Sequence, residues 1–195
     1  MRFALFVAFA LGLAGCGEGP DRPSRSGAVA SGDGSAPGAR PNAPTPRLPA
    51  TEPLTAYGRA PVRVGMDERE ALASLGLTPP SEDAETADCR IVRPDGPAGL
   101  YVMLEHGRVV RVSVEGESAV RTREGLGIGS TEGQVRAIYA DQLVVAPHEY
   151  VIGGKYLTWW ADEGVAGLRF ETDAQGRVTA MHGGGPAVAY SEGCA

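Results

Sequence analysis

Apolar positions follow three regimes along the chain. Phe3 to Ala14 is an unbroken apolar run of twelve residues. From Gly17 to about Thr55 no apolar period is visible. From Val62 onward, short helical patterns alternate with period-two runs. Ala71/Leu72/Leu75 and Val135/Ile138/Tyr139 recur at helical spacing and predict two short helices of about ten residues, each too short to be stable without packing. Between and after them, alternating segments predict strands at Cys89–Arg93, Leu100–Glu105, Val109–Val114, His148–Ile152, Tyr156–Trp160, Gly167–Thr172 and Arg177–Met181. His106-Gly107-Arg108, Gly153-Gly154 and Asp173-Ala174-Gln175-Gly176 read as the turns joining them.

The helix starts reveal an internal repeat. Val64-Gly65-Met66-Asp67 aligns without gaps to Ile128-Gly129-Ser130-Thr131, 64 residues later. In each, a glycine precedes an N-cap candidate, and Asp67/Glu70 and Thr131/Gln134 have capping-box spacing. The hairpins that follow also correspond: Gly99-Leu100 with Gly167-Leu168, and Gly107-Arg108-Val109 with Gly176-Arg177-Val178. The order predicts an α+β fold, a tandem repeat of a short helix plus a three- to four-stranded antiparallel sheet, with helices on one face.

Composition narrows the class. The chain has 195 residues, a formal net charge of −6 and a pI of about 5.1, which argues against a nucleic-acid partner. Lys155 is its single lysine. Met1-Arg2 followed by the apolar run reads as a signal peptide over residues 1–15, too short to span a bilayer. Residues 16–55, rich in Gly, Pro, Ser and Ala, cannot bury enough surface to offset their ordering entropy and read as a tether. Its prolines, from Pro41 to Pro53, stiffen the second half. Residues 56–116 then form repeat one and 117–195 repeat two, together one folded unit.

Two resemblances extend this reading. Leu13-Ala14-Gly15-Cys16 resembles the bacterial lipobox. That implies cleavage before Cys16 and a covalent lipid on its thiol, an anchor in the cell envelope needing no other cofactor. Gly17, where aspartate would resemble an inner-membrane retention signal, points to the outer membrane, facing the periplasm. The tandem order from Val62 onward resembles β-lactamase inhibitory proteins and the small lipoproteins of outer-membrane β-barrel assembly, in which a Gly-x-[Ser/Thr] turn opens a helix packed on an antiparallel sheet. This chain shows one clear helix per repeat, where that family has two.

Candidate chemistry is sparse. With Cys16 lipidated, Cys89 and Cys194 remain, and an exported chain with two thiols points to a disulfide closing a loop of about 100 residues. By chain entropy such a closure is worth up to about 4–5 kcal/mol. His106, His148 and His182 sit at predicted turns or strand ends, none with metal-ligand spacing, and read as solvated or singly hydrogen-bonded. No nucleophile elbow or Ser-x-x-Lys is present, so no catalytic residue is assigned. The aromatics concentrate in the second half. Trp159 and Trp160 must point to opposite faces of their strand, one under the helix and the other either exposed or covered by a flanking loop or the other repeat. Tyr156-x-Thr158-x-Trp160 fits an exposed sheet surface, and Tyr150, Tyr156, Trp159 and Trp160 are candidate partner-binding residues. The resulting expectation is a non-catalytic envelope lipoprotein that binds a periplasmic or surface protein as inhibitor, assembly factor or scaffold. The alternatives are a cell-wall or glycan hydrolase, or a small-ligand or lipid carrier.

Overall fold

The computed structural model describes residues 48–49, 51–79 and 88–194. The signal peptide, most of the tether and Cys16 lie outside them. The folded body reaches further upstream than the predicted boundary at Thr55. Leu54 is fully buried, its N–H donates to Arg121 O at 2.9 Å, and Leu48 is also packed in the core.

A two-stranded hairpin comes first: β1 (Gly58–Arg59) and β2 (Val62–Arg63), with a cis Ala60–Pro61 bond between them. Helix α1 (Glu68–Ser74) follows, then β3 (Cys89–Val92), β4 (Leu100–Glu105) and β5 (Arg108–Glu115). Helix α2 (Glu132–Tyr139) leads to β6 (Leu143–Pro147), β7 (Lys155–Asp162), β8 (Ala166–Thr172) and β9 (Val178–Gly184). A 3-10 turn at Pro186–Ala189 opens the C-terminal segment. The architecture is α+β, as the patterning predicts, but β3 to β9 do not divide into one sheet per repeat. They form one antiparallel sheet of seven, ordered β3-β4-β5-β9-β8-β7-β6, in which the last strands of the two halves, β5 and β9, pair at the centre.

One strand lies elsewhere than the patterning predicts. The pattern puts a strand at His148–Ile152, whereas the structure has the strand at Leu143–Pro147 and a loop over 148–154. The apolar residues Tyr150, Val151 and Ile152 imitate a strand but face water, while Val144 and Val145 carry the pairing with β7.

The two helix starts are built by the same contacts. Gly65 N–H donates to Val109 O and Gly129 N–H to Val178 O, both at 2.8 Å. Glu68 N–H donates to Gly107 O at 2.8 Å, and Glu132 N–H to Gly176 O at 2.7 Å. Arg108 and Arg177 each reach the carbonyl of the corresponding glycine, Gly65 at 3.0 Å and Gly129 at 3.3 Å. Those glycines have φ of 82° and 83°, a left-handed conformation that a side chain would strain. The reciprocal capping box is present at Thr131 and Gln134. At α1, Asp67 caps one residue earlier, accepting from the Arg69 amide at 3.0 Å rather than pairing with Glu70.

Strand alternation divides the side chains between two faces. Val102, Leu104, Val112, Val114, Leu157, Phe170 and Met181 meet α1, α2 and the β1–β2 hairpin in the main core. The backbone entering that hairpin approaches β9 so closely that a Cβ on Gly183 would lie 2.1 Å from Thr55 O. The opposite face is polar, and it holds the candidate site.

Candidate functional site

On the face away from the helices, β5, β9, β8 and β7 place Arg111, Ser113, His182, Glu171, Arg169, Thr158 and Tyr156 in neighbouring register. All are buried except Glu171, which is nearly so. Glu171 is the hub. His182 Nε2 lies 3.1 Å from its Oε1, and His148 Nε2 lies 3.2 Å from its Oε2.

The remaining ring nitrogens fix the tautomers. Backbone N–H groups of Tyr150 and Val151 point at His148 Nδ1, at 3.1 and 3.3 Å. Nδ1 must therefore accept, and Nε2 carries the proton donated to Glu171. Ser113 Oγ sits 2.8 Å from His182 Nδ1, so its hydroxyl donates there while His182 Nε2 donates to Glu171.

Charge follows burial. Burial lowers the His182 pKa against the opposing hydrogen bond to Glu171, so the imidazole stays neutral. Burial acts to raise Glu171, but the hydrogen bonds donated by His182 and His148 outweigh it and leave the carboxyl below its ordinary value. Burial also lowers the two guanidinium groups, Arg111 and Arg169, from the ordinary arginine value.

The C-terminal segment covers these arginines. Ala187 and Val188 are buried against the sheet. Arg111 donates to Ala187 O at 3.0 Å and to Glu192 O at 3.4 Å, and Arg169 to Tyr190 O at 3.1 Å. The Cys89–Cys194 disulfide, with a sequence separation of 105, ties this segment to edge strand β3. It is the pairing that cysteine parity and export predict.

Ser113, His182 and Glu171 form a row that looks like a catalytic triad. Ser113 has no exposed surface and His182 is 4% exposed. As folded, the row does structural work: it ties β5, β9 and β8 together across the sheet and holds Glu171 toward His148.

What Glu171 and His148 hold is the loop from His148 to Gly154. His148 N–H donates to Gly154 O at 2.9 Å, Gly154 N–H to Val151 O at 2.8 Å, and Glu149 N–H to Tyr156 Oη at 3.3 Å. Tyr150 Oη donates to Glu192 Oε1 at 2.5 Å, which raises the Tyr150 pKa. The Tyr156 ring is clamped between His148, at 4.4 Å between centroids, and the Arg169 guanidinium, at 4.0 Å. On this anchored loop Tyr150 is 57% exposed and Ile152 98%.

The predicted partner-binding residues therefore separate. Tyr150 is exposed on the loop. Tyr156 is not on an open surface: the loop and the C-terminal segment cover it and Thr158, leaving them 5% and 6% exposed. Trp159 lies on the helix side, stacked on Tyr139 at 4.8 Å and donating from Nε1 to Gln142. Trp160 is half-buried on the polar side, its ring flat against Gly167, where a Cβ would come within 2.7 Å of it. The clustering of histidines has no sequence cue. His148 and His182 stand 34 residues apart, and only the β8–β9 and β7–β8 registers bring them to Glu171. A cavity of about 510 Å³ opens on the helix side between Trp159, Tyr57, Arg63 and Arg123.

No family model matches the chain, and no curated protein does. Two solved structures are similar to part of it. One is an extracellular protein containing an SCP domain from Bacillus anthracis, at 16% identity and a TM-score of 0.37, covering 61% of this chain and 43% of that one. The other is a cysteine-rich secretory protein from Staphylococcus aureus, at 15% identity and a TM-score of 0.33, covering 68% and 48%. The chain thus spans less than half the length of either.

Proposed function

We propose that this protein is a non-catalytic binding module of the bacterial cell envelope, lipid-anchored at Cys16, and that it presents the loop Tyr150-Val151-Ile152 to a protein partner. The observation that carries the reading is the 98% exposure of Ile152 on a loop whose neighbours are hydrogen-bonded on both sides. A large aliphatic side chain gains nothing from facing water, and a loop already ordered loses little further entropy on association. The loop carries Glu149, and Asp173 stands in the turn packed beside Gly153. The partner is therefore a protein with an apolar pocket and a basic rim.

The envelope location rests on the lipobox at Cys16, the signal-like N-terminus and the disulfide. The matched hydrogen bonds at Gly65 and Gly129 support descent of the two halves from one duplicated unit, as the likeness to tandem inhibitory proteins implies.

A photo-crosslinking residue at position 152 is expected to trap one discrete protein in intact envelopes, and the same probe at Glu70, on the exposed side of α1, is expected to trap none. Equal capture at both sites would sink the binding-loop reading. Replacing Cys16 with Ser is expected to release the protein from membranes, and retention of the variant would refute the anchor.

A further inference from the structure

His148 does two jobs with one ring. Its Nε2 is fixed on Glu171, and its Nδ1 is the acceptor that closes the loop, taking the N–H groups of Tyr150 and Val151. The side chain thus caps amides two and three residues ahead, the role an aspartate or asparagine plays in an Asx turn. An imidazole differs from those side chains in one respect: protonation abolishes the acceptor. The charged ring carries N–H on both nitrogens, and two backbone donors would then face a third.

We propose that His148 is a pH-sensitive clasp, holding the exposed loop in its presented form when neutral and releasing Tyr150 and Val151 when protonated. The proposal rests on the reading of this loop as the partner-binding element. The groups around the ring are consistent with a local change. Glu171 accepts from Nε2 in either state. Tyr156 stacks on the ring and separates it from Arg169, while His182 shares the far oxygen of Glu171. Within the loop, Tyr150 lies edge-on at 6.4 Å and Glu149 is bound through its amide to Tyr156. Protonation therefore gains an ion pair below the ring while removing both amide bonds above it. The sheet beneath keeps its backbone hydrogen bonds, so the loop responds first.

The test is amide exchange by NMR on the full-length protein, corrected for the intrinsic pH dependence of exchange. Protection at Tyr150 and Val151 is expected to fall roughly tenfold or more between about pH 8 and pH 5, where imidazoles take up a proton. Amides of β8 and β9 should lose far less protection over the same range, only what the falling global stability takes from every amide. His148→Asn keeps an acceptor that does not titrate, so its loop should remain protected at both pH values. His148→Phe has none, so its loop should be unprotected throughout. Equal loss of protection in wild type and His148→Asn would overturn the clasp, as would unchanged protection at pH 5 in wild type. These readouts need no partner. Crosslinking at Ile152 tests the binding reading independently, and failure there with an intact pH response would leave the clasp standing and remove its assigned purpose.

Discussion

The two faces of the sheet are closed by different physics. On the helix side, Phe170, Met181, Val112, Val114 and Leu157 pack with residues of α1, α2 and the N-terminal hairpin, and none needs a particular partner atom. On the other side Arg111, Arg169, His182 and Glu171 are buried at similar depth, yet each needs a directed bond to a named atom. Truncating an apolar side chain on the first face leaves a cavity that its neighbours partly fill. Breaking a hydrogen bond on the second leaves a desolvated polar group with no substitute. Apolar packing gives one face its stability. The directed network gives the other its geometry, and that geometry ends at the loop carrying Ile152.

The contrast can be broken at four points. Phe170→Ala, with the side chain fully buried, should lower unfolding stability by about 4 kcal/mol in denaturant titration while leaving the exchange of Tyr150 and Val151 amides near wild type. Glu171→Gln should cost about 2 kcal/mol and loosen the loop, because two imidazoles lose their charged acceptor. If Glu171→Gln lowers stability while the loop stays protected, the coupling between hub and loop is denied.

The pH dependence has a definite sign. The folded His182 pKa is depressed, so the unfolded chain takes up that proton first. The contribution is complete above about pH 6.5 and is lost as pH falls from there toward the folded value. Glu171, also depressed, adds a second loss that begins only below about pH 4.3. His182→Gln should flatten the upper limb of a stability–pH curve and keep the lower one. Smallest of all, Ile152→Ser should change stability by less than about 0.5 kcal/mol, since its side chain touches almost nothing. A larger change in thermal melting would mean that the loop tip packs after all.

The helix face is legible in the sequence because its cues are local. Glycine and cap at Gly65/Asp67 and Gly129/Thr131 announce the helices, and alternation announces β4, β5, β7, β8 and β9. The Cys89–Cys194 pairing follows from parity and compartment. The polar face is not legible, because its cues are non-local. Nothing in His182-Gly183-Gly184 tells that β9 runs on through those glycines to meet β5, where a Cβ on Gly184 would lie 2.4 Å from Val110 O. The strand expected at His148–Ile152 fails for a related reason. A histidine ring serves there as a turn-forming acceptor, a role its residue type seldom signals.

The point where the chain enters the fold carries a mechanical consequence. Leu54 N–H donates to Arg121 O, Thr55 and Gly58 exchange both their backbone bonds, and Arg59 reaches back to Glu52 O, while the hairpin behind them has only two residues in each strand. At the other end the Cys89–Cys194 bond ties the chain covalently to β3. Tension transmitted from upstream of Thr51 would reach Leu54 and this hairpin before it reached the seven-stranded sheet, and the Arg59 anchor on Glu52 O stands first in its path. The N-terminal hairpin is thus the mooring of the fold, set apart in the chain from the loop at Ile152 and the network beneath it.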